Sequence, residues 1–161
     1  MQQEHPFKPL IFKSSKTLIL GSFPSLKSFE NSFYYAHPQN QFWKILGEIS
    51  GYPANLRDQR VWLVKQCKLA LWDMVQSCKR ENSADSNLED ITPNDIEALL
   101  KEYPNIEQIA FTSRLAQKIY KKYFDHLDIK TIYLPSPSPA YASMSLEEKA
   151  SRYKELLGDC K

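Results

Sequence analysis

Four short apolar runs punctuate the chain, and each ends in turn or polar chemistry. They are Thr17-Leu18-Ile19-Leu20 before Gly21, Leu69-Ala70-Leu71-Trp72 before Asp73, Ile106 to Phe111 before Thr112-Ser113, and Ile129 to Leu134 before Pro135. Runs of this length, apolar and closed by turn formers, predict β-strands. The segments between them keep a different period. Phe42, Ile45, Leu46 and Ile49 recur at intervals of three and four after Asn40, and Val61, Leu63 and Val64 recur similarly before Cys67, which predicts amphipathic helices. Thr92-Pro93-Asn94-Asp95 predicts a helix start ahead of Ile96, Leu99 and Leu100. Ser113 predicts a cap for Leu115 to Tyr123, and Ser145-Leu146-Glu147-Glu148 a capping box opening the last helix.

Strands alternating with helices predict an α/β fold, a parallel sheet with helices on both faces. Such sheets bind ligands beyond the carboxyl ends of their strands. The stretches to inspect are therefore Gly21-Ser22-Phe23-Pro24-Ser25, Asp73-Met74, Thr112-Ser113-Arg114 and Pro135-Ser136-Pro137-Ser138-Pro139-Ala140. They are small, polar and proline-rich, as the floor of a backbone-lined pocket requires. Arg80 to Glu89 is polar enough to read as a long loop.

Composition bounds the function classes. With 161 residues, 42% of them hydrophobic and 25% charged, the chain can bury a core of its own without disulfides or metal. A single domain spanning 1–161, with 1–14 as an N-terminal extension, is the expectation. No run of about 18 apolar residues and no leader-like start are present, so a cytoplasmic protein with no membrane partner is expected. Lys and Arg number 21 against 19 Asp and Glu, a net charge of +2, so any phosphate binding must come from a local patch. Cys67, Cys78 and Cys160 show neither a CxxC nor a Cys/His ligand spacing, and reduced thiols without a metal are expected. Phosphate-loop, dinucleotide, serine-hydrolase and zinc-protease motifs are all missing. His5 and His126 fall outside the suspected mouth. Asp73 is the one acid at a strand end, and a lone acid does not make the pair that sugar hydrolysis uses.

The most unusual segment is Ser32-Phe33-Tyr34-Tyr35-Ala36-His37-Pro38-Gln39-Asn40-Gln41-Phe42-Trp43, where rings crowd beside a His-Pro and a carboxamide. Aromatic faces can sandwich a nucleobase, at about 1–3 kcal/mol per stacked base. A side-chain amide carries both a donor and an acceptor, and so can read the N–H/C=O edge of uracil or hypoxanthine. Each residue also has a structural reading. Asn40 can be the N-cap of the helix that follows it, and His37 a turn residue. Tyr34, Tyr35, Phe42 and Trp43 can be core, and Ser136, Ser138 and Gly21-Ser22 can be ordinary turns.

Taken in order, Leu18-Ile19-Leu20-Gly21-Ser22-Phe23-Pro24-Ser25, Tyr34 to Trp43, Leu71-Trp72-Asp73 and Leu134-Pro135-Ser136-Pro137-Ser138-Pro139-Ala140 resemble the uracil-DNA glycosylase superfamily. The chain is most similar to its hypoxanthine-DNA glycosylase (DNA-deoxyinosine glycosylase) branch, from the first strand to the last helix. The resemblance implies a three-layer α/β/α fold with a central four-stranded, mainly parallel sheet, and DNA bound across the strand ends. It also implies a monomer that needs no metal or cofactor, acts on double-stranded DNA containing a deaminated base, and leaves an abasic site to downstream repair enzymes. Asn40 and Ser22 would be catalytic. Gly21, Phe23, Pro24, Tyr34, Tyr35 and His37 would hold the base, and Ser25, Arg114, Ser136, Ser138, Pro139, Ala140 and Tyr141 the DNA. Thr112-Ser113 and Ser136-Pro137-Ser138-Pro139 stand where that branch tends to carry Asn-Gly and Ser-Thr-Ser-Pro. A uracil- or mismatch-directed glycosylase and a non-catalytic DNA-binding module on the same fold are the alternatives.

Overall fold

A computed structural model of the chain describes residues 2–5, 8–24, 28, 33–79, 88–139 and 141–158. Ser25, Lys27, Ala140, Cys160 and most of the polar stretch that begins at Arg80 lie outside the described residues. The strands are β1 (Gln2–Glu4), β2 (Thr17–Gly21), β3 (Leu69–Asp73), β4 (Val75–Lys79), β5 (Glu89–Pro93), β6 (Gln108–Phe111) and β7 (Lys130–Tyr133). The helices are α1 (Phe42–Ser50), α2 (Arg57–Gln66), α3 (Ile96–Glu102), α4 (Arg114–Phe124) and α5 (Leu146–Leu157).

The four expected strands form one sheet in the order β3-β2-β6-β7, parallel throughout. Every residue of β2 is buried, as befits a central strand covered on both faces. Its alternation sorts the core into two layers. Ile19 packs with Phe42, Ile45 and Leu46 of α1, Leu63 and Val64 of α2, and Ala150 and Tyr153 of α5. Leu18 and Leu20 pack instead with Ile96 and Leu99 of α3 and Ala116, Ile119 and Tyr120 of α4. This is the three-layer arrangement. Among the described residues no helix is long and apolar enough to cross a membrane.

The helix starts follow from side-chain chemistry. Asp95 accepts from the Ala98 N–H at 3.0 Å and Ser113 from the Ala116 N–H at 3.3 Å. Ser145 and Glu148 exchange the two bonds of a capping box at 3.1 and 3.4 Å. Thr92 and Pro93, expected in a helix start, instead end β5, and α3 begins after Asp95.

A second sheet, β1-β4-β5, is antiparallel and was not among the expected elements. Its strands are half-exposed and interrupted by register shifts, so no apolar run marks them. Described residues of the amino-terminal stretch are thereby drawn into the fold. Gln2 pairs with Lys79 and Glu4 with Ser77, while Leu10 exchanges backbone hydrogen bonds with Leu71 at 3.0 and 2.8 Å. Cys67 corrects another expectation, being disulfide-bonded, whereas Cys78 is a buried free thiol. Cysteine pairing follows proximity in the fold, which spacing along the chain does not report.

Candidate active site

Beyond the carboxyl ends of the parallel strands opens a cavity of about 700 Å³, within the roughly 300–1,000 Å³ range of small-molecule sites. Gly21, Ser22, Phe23 and Pro24 from β2, Tyr34, Tyr35, His37 and Asn40 from the aromatic segment, and Ser136, Ser138, Pro139 and Tyr141 from the proline-rich loop all line it. Asp73 from β3 and Thr112-Ser113 from β6 complete the wall.

The floor is built on Gly21. A β-carbon there would lie 2.6 Å from Asp73 Oδ1, 3.5 Å from the Tyr35 hydroxyl and 3.6 Å from Thr112 Oγ1. Only glycine leaves room for a carboxylate this close to the backbone. Asp73 is 5% exposed, and its Oδ2 accepts from Nε2 of His5 at 2.8 Å. His5 was expected outside the mouth. Pairing of β1 with β4 carries it 68 residues along the chain to Asp73, a contact no local pattern announces. Asn94 donates through Nδ2 to the Asp73 carbonyl at 2.8 Å and steadies the strand end.

The two tyrosines are distinct in use. Tyr34 is buried and donates to the Lys8 carbonyl at 3.0 Å. Its own carbonyl accepts from the Trp43 indole at 3.0 Å. Tyr35 lies almost parallel to Phe42, with centroids 4.2 Å apart, and its hydroxyl sits 3.3 Å from Thr112 Oγ1. Its φ of 52° is in the left-handed region, unusual for an aromatic residue, and directs the ring from a tight turn. Burial pushes both phenols well above the usual tyrosine value, and the Asp73 charge adds to the shift. Both therefore stay protonated at neutral pH.

Asn40 serves the helix start and the cavity together. Its Oδ1 accepts from the Phe42 N–H at 2.9 Å, although Gln41 holds the N-cap position itself. That bond settles the orientation of the amide, because only the oxygen can accept. The NH₂ is what Asn40 has to offer a ligand. His37 Nδ1 accepts from the Gln39 N–H at 3.1 Å, which places a ring proton on Nε2.

Lys149 ties the two sides of the mouth together from behind. This fully buried lysine of α5 donates to Gln41 Oε1 at 2.7 Å and to the Ser138 carbonyl at 3.2 Å. Gln41 in turn donates its N–H to the Pro137 carbonyl at 2.9 Å, and Tyr153 of α5 donates to the Pro135 carbonyl at 2.6 Å. Burial lowers the Lys149 pKa.

Arg114 is exposed at the start of α4, its guanidinium 3.7 Å from the Tyr133 ring centroid, and it does not line the cavity. Ser25 and Ala140 lie outside the described residues. Asp73 and Thr112 were visible in the sequence as strand ends, whereas His5 and Lys149 carried no signal there.

Comparison with known proteins agrees with this geometry. The family model of the uracil DNA glycosylase superfamily matches residues 10–158. A hypoxanthine DNA glycosylase of Methanosarcina acetivorans is 33% identical over 138 residues, 83% of this chain and 85% of that protein. One from Methanosarcina barkeri is 31% identical over 151 residues, 92% and 94% of the two chains. A solution NMR structure from Methanosarcina acetivorans, described as a uracil DNA glycosylase, superposes with a TM-score of 0.83 at 28% identity and covers 98% of both chains. A parallel sheet with its pocket at the strand ends, matched along nearly its whole length in sequence and in structure, places this chain in the uracil DNA glycosylase superfamily.

Proposed function

We propose that the chain releases hypoxanthine from deoxyinosine in duplex DNA, hydrolysing the N-glycosidic bond of a flipped nucleotide and leaving an abasic site. Two relatives of that name, at 33% and 31% identity over most of the chain, support the choice of base. The observation that carries the reading is Asn40, which lines the cavity and whose Oδ1 accepts from the Phe42 N–H, so that its NH₂ remains the donor of the side chain.

Breaking the bond leaves its electron pair on the departing base and oxocarbenium character on the sugar. A donor fixed in advance at the base carbonyl stabilises that charge without reorganising. In this scheme the base stacks on Tyr35, which Phe42 backs at 4.2 Å. Asn40 donates to the carbonyl, Ser22 steadies the leaving base or the water, and Gly21, Phe23, Pro24, Tyr34 and His37 shape the slot. Ser136, Ser138 and Pro139 take the phosphates on either side, with Arg114 beside the rim, and Tyr141 fills the gap the base leaves. By resemblance Ser25 and Ala140 join them. Flipping costs a few kcal/mol, least at a mispair, so selectivity begins before the base enters the slot. The enzyme acts as a cytoplasmic monomer and hands the abasic site to downstream repair enzymes.

The deciding experiment is base release from duplexes carrying one inosine, uracil, xanthine or thymine–guanine mismatch, with abasic sites revealed by hot alkali. Inosine cleavage that disappears in Asn40→Ala is the expected result. Cleavage of uracil alone would move the protein to a uracil-directed glycosylase, and duplex binding without any cleavage would make it a non-catalytic module.

A further inference from the structure

Asp73 is the one carboxylate among the described residues lining the cavity. Removing a carboxylate from water costs several kcal/mol unless partners compensate. Here the side chain is 7% exposed, its Oδ2 is held by a histidine that is itself 4% exposed, and that histidine is delivered by a strand from elsewhere in the chain. Oδ1 lies over Gly21, where a β-carbon would come within 2.6 Å of it. An ionised carboxylate accepts hydrogen bonds and cannot donate them.

The cavity therefore carries a fixed acceptor, Asp73, besides the donor Asn40. Hypoxanthine presents a carbonyl oxygen and, next to it, an N1–H. Adenine presents an amino group and, next to it, an unprotonated ring nitrogen, so it is mismatched at both positions. We propose that Asp73, positioned by His5, accepts the N1–H of the flipped base, so that the site recognises the lactam N–H/C=O edge of hypoxanthine and refuses adenine. Guanine shares the N1–H and is distinguished by its 2-amino group, not by this contact. The inference rests on the reading that the cavity receives a flipped base. It adds a specificity residue to it and makes the N-terminal arm part of the site. Sites built to hydrogen-bond a substrate N–H reject analogues lacking it by large factors, because the buried partner is left unpaired.

The test is single-turnover excision of hypoxanthine and of N1-methylhypoxanthine from matched duplexes. The methyl group removes the donor, and its effect on flipping cancels when proteins are compared. The wild-type protein should prefer hypoxanthine by about 100-fold or more. Asp73→Ala should lose hypoxanthine excision by a similar factor yet treat the two substrates within about 3-fold of each other. Equal slowing of both substrates, with the preference kept, would overturn the proposal and assign Asp73 to the water or to the fold. His5→Leu and His5→Gln guard against failure of Asp73→Ala to fold. Leucine should erode the preference about 10-fold, while glutamine, whose amide can still donate to Oδ2, should restore most of it. A preference unchanged in His5→Leu would count against the positioning role. Release of neither base by the wild-type protein would sink the flipped-base reading as well. Loss of both substrates in Asn40→Ala, with the preference intact in Asp73→Ala, would sink this inference alone.

Discussion

The cavity has two walls built on opposite principles. The wall of Asp73, Tyr34 and Tyr35, with His5 behind Asp73, is made of side chains in dry surroundings, fastened by hydrogen bonds between residues as far as 68 and 77 positions apart. The wall of Ser136 to Pro139 and Tyr141 is made of proline-fixed backbone and small hydroxyls, and its Tyr141 is 40% exposed. A dry wall gives strong, directional hydrogen bonds and suits a base edge. A wet rim of hydroxyls and amides suits phosphate, where position matters more than identity. Each wall depends on a buried polar side chain with a distant partner, His5 reaching Asp73 68 positions away and Lys149 fastening the rim to Gln41 108 positions away.

The comparison can be broken from either side. Asn40→Ala, at the seam, should lower single-turnover base release by about 1,000-fold while duplex affinity stays within about 3-fold; equal losses in both would reduce Asn40 to a helix cap. Gly21→Ala should strike the dry wall alone, since its methyl group meets Asp73 Oδ1 at 2.6 Å. An excision loss of about 100-fold with unchanged duplex affinity is expected, and a variant as active as wild type would show that Asp73 has freedom to move. Lys149→Met should strike the wet rim. It removes the bonds to Gln41 and Ser138, so duplex affinity should fall about 10-fold, measured by fluorescence anisotropy. Its melting temperature should hold or rise, because an apolar isostere replaces a buried cation. The double variant Ser136→Ala and Ser138→Ala should weaken duplex binding by a few-fold, equally for undamaged and inosine-containing DNA, with little effect on the rate at saturating enzyme.

The smallest effect is one of pH. Burial raises the phenols of Tyr34, Tyr35 and Tyr153 above the ordinary value of 10.0. Groups raised on folding contribute stability that is complete below about pH 10 and is lost as pH climbs through their folded values. Ultraviolet titration of phenolate should therefore show these three of the nine tyrosines ionising only as the fold opens, and early ionisation of all nine would contradict the dry wall.

What was legible from sequence follows the same division. The parallel strands announced themselves because strands buried on both faces must be apolar throughout, as Leu18, Ile19 and Leu20 are. The rim and slot were legible because strand ends are where such sheets bind, and Ser22, Asn40, Ser136 and Tyr141 do line the cavity. The antiparallel sheet left no such trace, since β5 exposes most of its residues. His5 and Lys149 were hidden for another reason. Their roles come from pairings between distant segments, and nothing in the neighbourhood of either residue encodes its partner. Arg114 shows the converse, a basic residue beside a strand end whose side chain lies over Tyr133 instead of facing the cavity.

The arm that ends at His5 also governs how the protein should be handled. Gln2 begins β1, and the histidine that grips Asp73 lies only three positions further on, roughly 10 Å of extended chain. An affinity tag joined ahead of Gln2 would pull on the strand that delivers His5 to Asp73. Tagged and tag-free preparations should differ in excision rate for that reason, and an assay made only with an amino-terminal fusion would understate the enzyme.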